Sequence, residues 1–215
     1  MPFRLRDCLP FTSFRTHGFE FLDPGRLIDG ELELIPPSQR WVDAVLAACS
    51  HPDSCEKSPA LADTSRQQIL DFLKACPGGH QDPKAFSDLA PAYHFWMHVR
   101  DNPQLPIAGG INLRIGHQYD LVMYHGQIGY HVYPPHRRHH YAERACRLLL
   151  PLARRHGLDP LWITCNPDNF ASRRTCERLG GKLVEIVPVP PENSLFARGE
   201  TEKCRYRFDL TTMAV

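Results

Sequence analysis

The chain has 215 residues, of which 42% are hydrophobic and 23% charged, and its formal net charge is +1. This balance is typical of one folded globular domain and excludes a disordered chain. A net charge near zero favours neither a nucleic acid nor a membrane surface as partner. No apolar run reaches the ~18 residues that a membrane span needs, and the first residues have no apolar run of the length typical of a secretory leader, so we expect neither. The eight cysteines form no C-x-x-C pair, which is typical of free thiols in a reducing cytoplasm.

The beginning of the chain predicts an arm and then the first elements of a domain. Residues 1–29 show no clear hydrophobic period, so we expect an N-terminal arm there with one short strand at 18–22. The arm would pack on a domain over residues 30–215 or on a second copy of the chain, which leaves a homodimer open. Alternating apolar residues over 31–35 predict the first core strand of that domain.

Two helices are expected after this strand. Ser38 is a natural N-cap for a helix over 39–48, because its hydroxyl can accept from the first free amides. Residues 51–63 are expected to form a loop. A capping-box pattern that begins at Thr64 predicts a second helix, which should end before Pro77.

A hairpin is expected next, from strands at 93–99 and 107–115. Gly109 and Gly110 lie inside the second strand and indicate a bulge or a close approach of another backbone. Further elements follow at helical or strand spacing. They are a strand at 127–133, a helix from about 142 that ends at Gly157, a strand at 161–165, a helix from about 170 to Gly180, and strands at 182–189 and 203–210.

The loop between the strand at 127–133 and the long helix is a candidate anion site. The first amides of a helix have no partner within it, and the helix dipole leaves that end partly positive. Arg137 and Arg138 precede this helix and add charge that suits phosphate. The alternative is a solvated basic loop, since charged runs are commonly just surface.

This block resembles the acetyl-CoA-binding core of the GNAT (GCN5-related) N-acetyltransferase superfamily. Members carry a strand ending in Val-x-Pro, a loop of pattern R/Q-x-x-G-x-G/A, a helix, and later an N-x-x-A/S segment followed by a Gly. The corresponding residues here are Val132 and Pro134, Arg137 to Ala142, Asn169, Ser172 and Gly180. His140 replaces the central Gly of the loop.

The resemblance implies an α/β (α+β) fold with a central mixed, mostly antiparallel, twisted sheet. About six or seven strands would be flanked by about four helices in the order β-α-α-β-β-β-α-β-α-β-β. It also implies transfer of an acetyl group from acetyl-CoA to a primary amine. The acceptor is not identified, and a small molecule is favoured over a protein. The alternative is an acyl-CoA-binding protein of the same fold without transferase activity.

The same resemblance assigns the residues that bind acetyl-CoA. The backbone amides of Arg138, His139, His140, Tyr141 and Ala142 would hold the pyrophosphate, and Arg137 would add its charge at the mouth of the loop. Pantetheine would pair with the strand edge at Val132. Asn169 and Ser172 would be polar contacts, although Asn169 also fits a helix N-cap.

The resemblance leaves the proton-transfer groups open. Gln127 stands where many relatives have Glu, and Cys176 stands where members often have a Tyr acid. We therefore consider His131 as a base acting through water, with a pH limb near its reference pKa of ~6.5, and Cys176 as the acid. The alternatives are a surface imidazole for His131 and a buried thiol for Cys176.

Metal binding is the other reading of this segment. The sequence places five histidines within a short stretch, namely His125, His131, His136, His139 and His140. Zinc sites need defined spacing and usually Cys or carboxylate ligands, and the neighbouring arginines oppose a cation. We therefore predict no metal.

Overall fold

The computed structural model describes residues 19–81 and 90–213. Within these ranges the strands are β1 (Ile28–Asp29), β2 (Leu32–Ile35), β3 (His80–Gln81), β4 (Ala92–Val99), β5 (Ile107–Arg114), β6 (Ile128–Val132), β7 (Leu161–Cys165), β8 (Lys182–Pro188) and β9 (Glu202–Phe208). The α-helices are α1 (Val42–Ser50), α2 (Pro52–Lys57), α3 (Arg66–Ala75), α4 (Tyr141–Arg155) and α5 (Phe170–Arg178). None of the described helices is long and apolar enough to cross a lipid bilayer.

The strands form two antiparallel sheets that meet at one point. The first sheet has the order β1-β2-β4-β5-β6, with β3 on β4, and the second has the order β7-β9-β8. Just before β6, the amide of Gln127 donates to the carbonyl of Trp162 in β7 at 2.7 Å. Beyond this contact β6 and β7 are not paired in the described part of the chain. The two strands therefore border an open space, which we call the β6/β7 cleft.

Alternation along the strands gives the first sheet two packed faces. One face carries Tyr130 and Val132 and packs on α4 and α5, whose buried residues join a large core cluster. The other face carries Trp96 and Tyr133 and packs on α1 and α3 in a smaller cluster. Even-numbered residues of β6 therefore face the large cluster, and odd-numbered residues face the smaller cluster.

From residue 31 onward the predicted strands and helices are present in the predicted order, and β1, β3 and α2 are additions. The loop predicted at 51–63 is wrong, because this stretch contains α2 and a short 3-10 helix at Pro59–Leu61. His51 begins α2 with its own side chain, since its ring nitrogen Nδ1 accepts from the amide of Asp53 at 3.2 Å. Pro52 suits the first helical position, where no backbone donor is needed.

The caps differ from the predictions at two places. Ser38 makes no side-chain capping bond, and the chain first forms a 3-10 turn at Gln39–Trp41 before α1. The capping box of α3 is formed by Ser65 and Gln68, one residue later than predicted. Such shifts of one or two residues are common at helix ends.

The described part of the N-terminal arm lies on the domain. Residues 19–22 form no strand, contrary to the prediction, and Gly18 lies outside the described residues. The amide of Leu22 donates to the Tyr93 hydroxyl at 2.6 Å, and this hydroxyl donates back to the Leu22 carbonyl at 3.0 Å. The division into an arm at 1–29 and a domain at 30–215 stays a prediction.

Candidate active site

The loop before α4 has an unusual backbone at two positions. Arg138 and His140 have φ values of 74° and 58°, the left-handed region that favours glycine. His140 thus keeps the conformation for which relatives use Gly, at a cost of about 1–2 kcal/mol. The backbone is therefore left-handed at the position where the resemblance places a Gly.

This path leaves the first turn of α4 open to an anion. The first helical hydrogen bond runs from the amide of Arg144 to the carbonyl of His140 at 3.0 Å. The amides of Tyr141, Ala142 and Glu143 therefore have no acceptor within the helix. Together with the helix dipole, they form a site of positive potential.

The side chains of the loop take separate roles. Arg137 turns back, where its guanidinium donates to the Val132 carbonyl at 3.3 Å and to the Ser58 hydroxyl at 3.0 Å. The ring of His139 stacks on Tyr141 at 5.4 Å. Arg138 is exposed. Arg137 therefore joins the loop to the end of α2, while Arg138 is available at the mouth.

His140 extends toward α5. Its Nδ1 lies 2.5 Å from a guanidinium nitrogen of Arg178, in the last turn of that helix. This contact brings a further cation beside the loop, and nothing in the sequence pattern distinguished Arg178 from the other arginines of α5. The contact depends on tertiary packing across 38 residues.

The edge of β6 that faces the cleft is not paired with another described strand. The amide of Tyr133 donates to the carbonyl of Ala108 in β5 at 2.8 Å. Because successive amides of a strand point in opposite directions, the amide of Val132 points away from β5, toward the cleft. An extended ligand could pair with β6 there as an added strand would.

A hydroxyl pair lies on the α4/α5 face of this edge. The phenol of Tyr130 is 2.9 Å from the hydroxyl of Ser172 in α5. Burial raises the pKa of Tyr130 well above its ordinary value, so the phenol stays protonated. The side-chain oxygen of Asn169 accepts from the amide of Ser172 at 3.1 Å. Asn169 is thus the N-cap of α5, which agrees with the alternative reading from the sequence.

On the opposite face, His131 lies in the wall of a small cavity. The cavity has a volume of about 60 Å³ and is enclosed by α1, α3 and strands β4 to β6; we call it the α1/α3 cavity. The ring of His131 folds over Gly110, where an added Cβ would lie 2.7 Å from the ring carbon Cε1. Loss of hydration lowers the pKa of His131 to about 4, so the imidazole is neutral at pH 7.

The paired glycines of β5 serve this close approach. A Cβ on Gly109 would lie 2.1 Å from the carbonyl oxygen of His131. The register of β4 on β5 also shifts between Met97 and His98, as in a bulge. Both readings that the sequence offered for Gly109 and Gly110 therefore apply.

Gln127 stands at the vertex of the cleft and is fully buried. Its side-chain nitrogen Nε2 donates to the carbonyl of Gly116 at 2.8 Å, and its oxygen Oε1 accepts from the amide of Trp162 at 2.8 Å. The side chain thus joins the loop after β5 to β7. This bridge needs one donor and one acceptor. An amide side chain supplies both, whereas a carboxylate supplies only acceptors.

Comparison with known proteins decides the family. The sequence profile described as "Acetyltransferase (GNAT) domain" matches residues 31–182. The chain belongs to the GNAT acetyltransferase family. It is an N-acetyltransferase of the GNAT type, which confirms the family and the enzyme class expected from the sequence.

Solved structures agree on the GNAT fold. The microcin C7 self-immunity acetyltransferase MccE, solved with acetyl-CoA and AMP, is 16% identical over 84% of this chain and 93% of its own, with a TM-score of 0.62. The ribosomal L7/L12 alpha-N-protein acetyltransferase RimL, solved with coenzyme A, is 15% identical over 86% and 97%, with a TM-score of 0.60.

A GCN5-related N-acetyltransferase from Brucella melitensis is 19% identical over 89% of this chain and 81% of its own, with a TM-score of 0.60. At these identities the likeness concerns the fold alone, and it confirms the predicted GNAT fold class. A search of curated protein sequences gave no match.

Cys176 departs from the Tyr that GNAT members often carry as acid. It is a fully buried residue of α5 and belongs to the large core cluster that α4 also joins. Burial raises the pKa of its thiol, so the group stays protonated. The position fits the buried-thiol reading, and the role of Cys176 as acid stays a prediction.

Replacing Cys176 with alanine is expected to lower the free energy of unfolding by about 1 kcal/mol, since a buried sulfur leaves a small cavity. Catalytic turnover should fall by no more than about threefold, because a positioned acid would be worth far more. Urea unfolding and steady-state kinetics measure the two effects, with Ser172→Ala as the comparison on the cleft side. A large fall in kcat for Cys176→Ala at unchanged CoA affinity would instead assign the acid to the thiol.

The histidines of this segment do not converge. His131 lies in the cavity wall, His139 stacks on Tyr141, and His140 contacts Arg178. Within residues 19–81 and 90–213, no group of three or more His, Cys, Asp or Glu side chains could hold a metal ion.

Proposed function

We propose that the chain transfers an acetyl group from acetyl-CoA to a primary amine of a small-molecule acceptor. The observation that carries the proposal is the open edge of β6, which runs into the left-handed loop and the free amides of α4. An extended pantetheine followed by a pyrophosphate needs these two features in this order. Acetyl-CoA supplies the activated acetyl thioester.

The loop fits a pyrophosphate through its backbone and its charge. The amides of residues 138–142 lie at the positive end of α4, and backbone donors bind phosphate whatever side chains they carry. Arg138 and Arg178 add cations at this mouth. Arg137 supports the site in another way, because it fixes the carbonyl of Val132 at the end of β6.

The acceptor would enter through the α1/α3 cavity. This cavity reaches Gly129 and His131 on β6, the strand whose edge would hold the thioester. The neutral imidazole of His131 can accept a proton from the incoming amine through one water molecule. On the other face of β6, Tyr130 and Ser172 are protonated hydroxyls that could supply a proton to the leaving sulfur.

The neighbours support the cosubstrate and leave the acceptor open. MccE was solved with acetyl-CoA and RimL with coenzyme A. The name of MccE concerns microcin immunity and that of RimL a ribosomal protein, so proteins of this fold differ in the acceptors that they serve. The narrow cavity of this chain favours the small molecule. A mass-spectrometric screen of amines with acetyl-CoA tests the transfer itself.

Replacing Arg137 with glutamate is expected to weaken CoA binding by about tenfold or more. The change removes the bonds to Val132 and Ser58 and places a negative charge beside the pyrophosphate site. Calorimetric titration with CoA measures the loss, and wild-type affinity should also fall with added salt.

Arg154→Glu provides the control for this experiment. Arg154 is exposed in the last turn of α4 and gives the same change in net charge at the other end of the helix. Its affinity for CoA should stay close to the wild type. Unchanged affinity in Arg137→Glu would place the CoA site away from this loop.

A further inference from the structure

The polarity of the α1/α3 cavity wall limits which ligands the cavity can hold. Among the described residues that line it, none is aspartate or glutamate. Its apolar wall includes Val45, Leu61, Ile69, Phe72 and Trp96. A ligand in this cavity would therefore leave water without meeting an opposite charge.

The titratable groups on the wall are neutral. Loss of hydration lowers the pKa of His94 to about 3 and that of His131 to about 4. Burial raises the pKa of Cys49 and that of Tyr133, which hydrogen-bond one another. At pH 7 none of these four side chains carries a charge.

Among the described residues, a positive charge lies behind part of this wall. The guanidinium of Arg114 donates to the carbonyl of Gly126 at 3.0 Å. Two of its nitrogens lie 3.2 Å from the position that a Cβ on Gly129 would take, and Gly129 lines the cavity. The charge of Arg114 also contributes to the lowered pKa of His94 on the same wall.

We propose that the acceptor of this chain presents its amine on a slender apolar group without a second positive charge. The proposal rests on the acetyl transfer proposed above and narrows its substrate class. The cavity is small, at about 60 Å³, which favours a slender alkyl chain over a ring. A second ammonium would lose its hydration without a partner, which is costly in an apolar site.

The same cavity accounts for a reaction without a carboxylate base. An amine attacks only in its neutral form, and an apolar site without carboxylates lowers the pKa of an ammonium that enters it. Gln127 cannot take a proton, so the cavity itself favours the reactive form. An acidic wall would hold the amine protonated and would oppose this effect.

Two amines of equal size test the proposal. n-Butylamine and 1,3-diaminopropane have the same number of heavy atoms, and the second replaces a methyl group with an ammonium. The wild-type enzyme with acetyl-CoA is expected to acetylate n-butylamine with a kcat/KM about 30-fold or more above that of 1,3-diaminopropane. A trialanine amide is tested in the same assay. A kcat/KM close to that of n-butylamine would identify a peptide N-terminus as the source of the apolar amine.

A matched pair of variants tests the cause. Thr64 lines the cavity, and Thr64→Asp adds a carboxylate there, while Thr64→Asn adds a group of the same shape without charge. The preference for n-butylamine should shrink about tenfold in Thr64→Asp and change by less than about threefold in Thr64→Asn. The wild-type comparison decides the proposal even where a variant fails to fold.

The outcomes separate the two levels of the proposal. Equal kcat/KM for the two amines would overturn the substrate class, while the acetylated products would still support the transferase. A preference of similar size in Thr64→Asp and the wild type would also overturn it, since charge would then not be the cause. No acetylated product from any of the amines would overturn both the substrate class and the proposed transfer.

Discussion

Replacing Gln127 with glutamate is expected to lower the free energy of unfolding by about 3 kcal/mol or more at pH 8. The residue is fully buried, and its amide both donates to Gly116 and accepts from Trp162. A carboxylate keeps the second bond, loses the first and adds a buried charge. The relatives' Glu at this position would therefore not restore a base here, and the variant should lose activity with its stability.

The pH dependence of this loss identifies its cause. In the native state burial raises the pKa of the new carboxyl above its unfolded value of ~4.3. Its penalty is therefore absent below the unfolded pKa, grows as pH rises toward the native pKa, and is complete above it. A protonated carboxyl also regains a donor for Gly116. The difference from the wild type should accordingly be small near pH 5 and largest at pH 8.

Urea unfolding at the two pH values measures this difference, and Gln118→Glu is the control. Gln118 is exposed in the same loop region, so the identical chemical change should alter stability by less than about 0.5 kcal/mol at either pH. A deficit independent of pH, or higher activity in Gln127→Glu, would contradict the bridging role of the amide.

Periodic segments were predictable because their pattern is local. The strand at Leu161–Cys165 has the predicted bounds. A short apolar run between a glycine and a loop has the length of a strand and is too short for a helix. The stretch at 51–63 was not predictable in this way. Its proline and serine residues are typical of loops, yet His51 caps a helix there through a ring nitrogen, which is an uncommon N-cap.

The candidate site shows the same division. The loop before α4 was identifiable from basic residues that precede a helix, and its left-handed backbone at His140 agrees with the family position of glycine. The bridge made by Gln127 was not identifiable, because Gly116 and Trp162 reach it from distant parts of the chain. The α1/α3 cavity likewise combines side chains from helices and strands that the sequence separates widely.

His131 shows why a reference pKa was insufficient. The sequence predicted a pH limb near ~6–7 from the reference pKa of a His131 base, and loss of hydration in the cavity wall lowers this pKa to about 4. A lowered pKa means that the neutral, proton-accepting form persists down to about pH 4. The limb due to His131 therefore moves to about pH 4, below the range in which amines titrate.

Replacing His131 with alanine is expected to reduce kcat/KM by about 100-fold at every pH between about 6 and 9. The imidazole is neutral throughout this range, so its loss should lower kcat/KM by the same factor at every pH and leave the shape of the pH profile unchanged. The remaining rise of kcat/KM with pH should follow the pKa of the acceptor amine. Two amines of different pKa should therefore show this rise at two different pH values. Steady-state kinetics with both amines, for the wild type and the variant, measure this result.

His131→Asn and His139→Ala distinguish a chemical role from a structural one. Asparagine retains an acceptor on the cavity wall and should recover part of the rate, because a water molecule needs a fixed acceptor to receive the proton of the amine. His139 is exposed in the loop and stacks on Tyr141, so its loss should leave kcat near the wild-type value. Near-normal turnover of His131→Ala across this pH range would mean that the amine reaches its neutral form by desolvation alone, with no base.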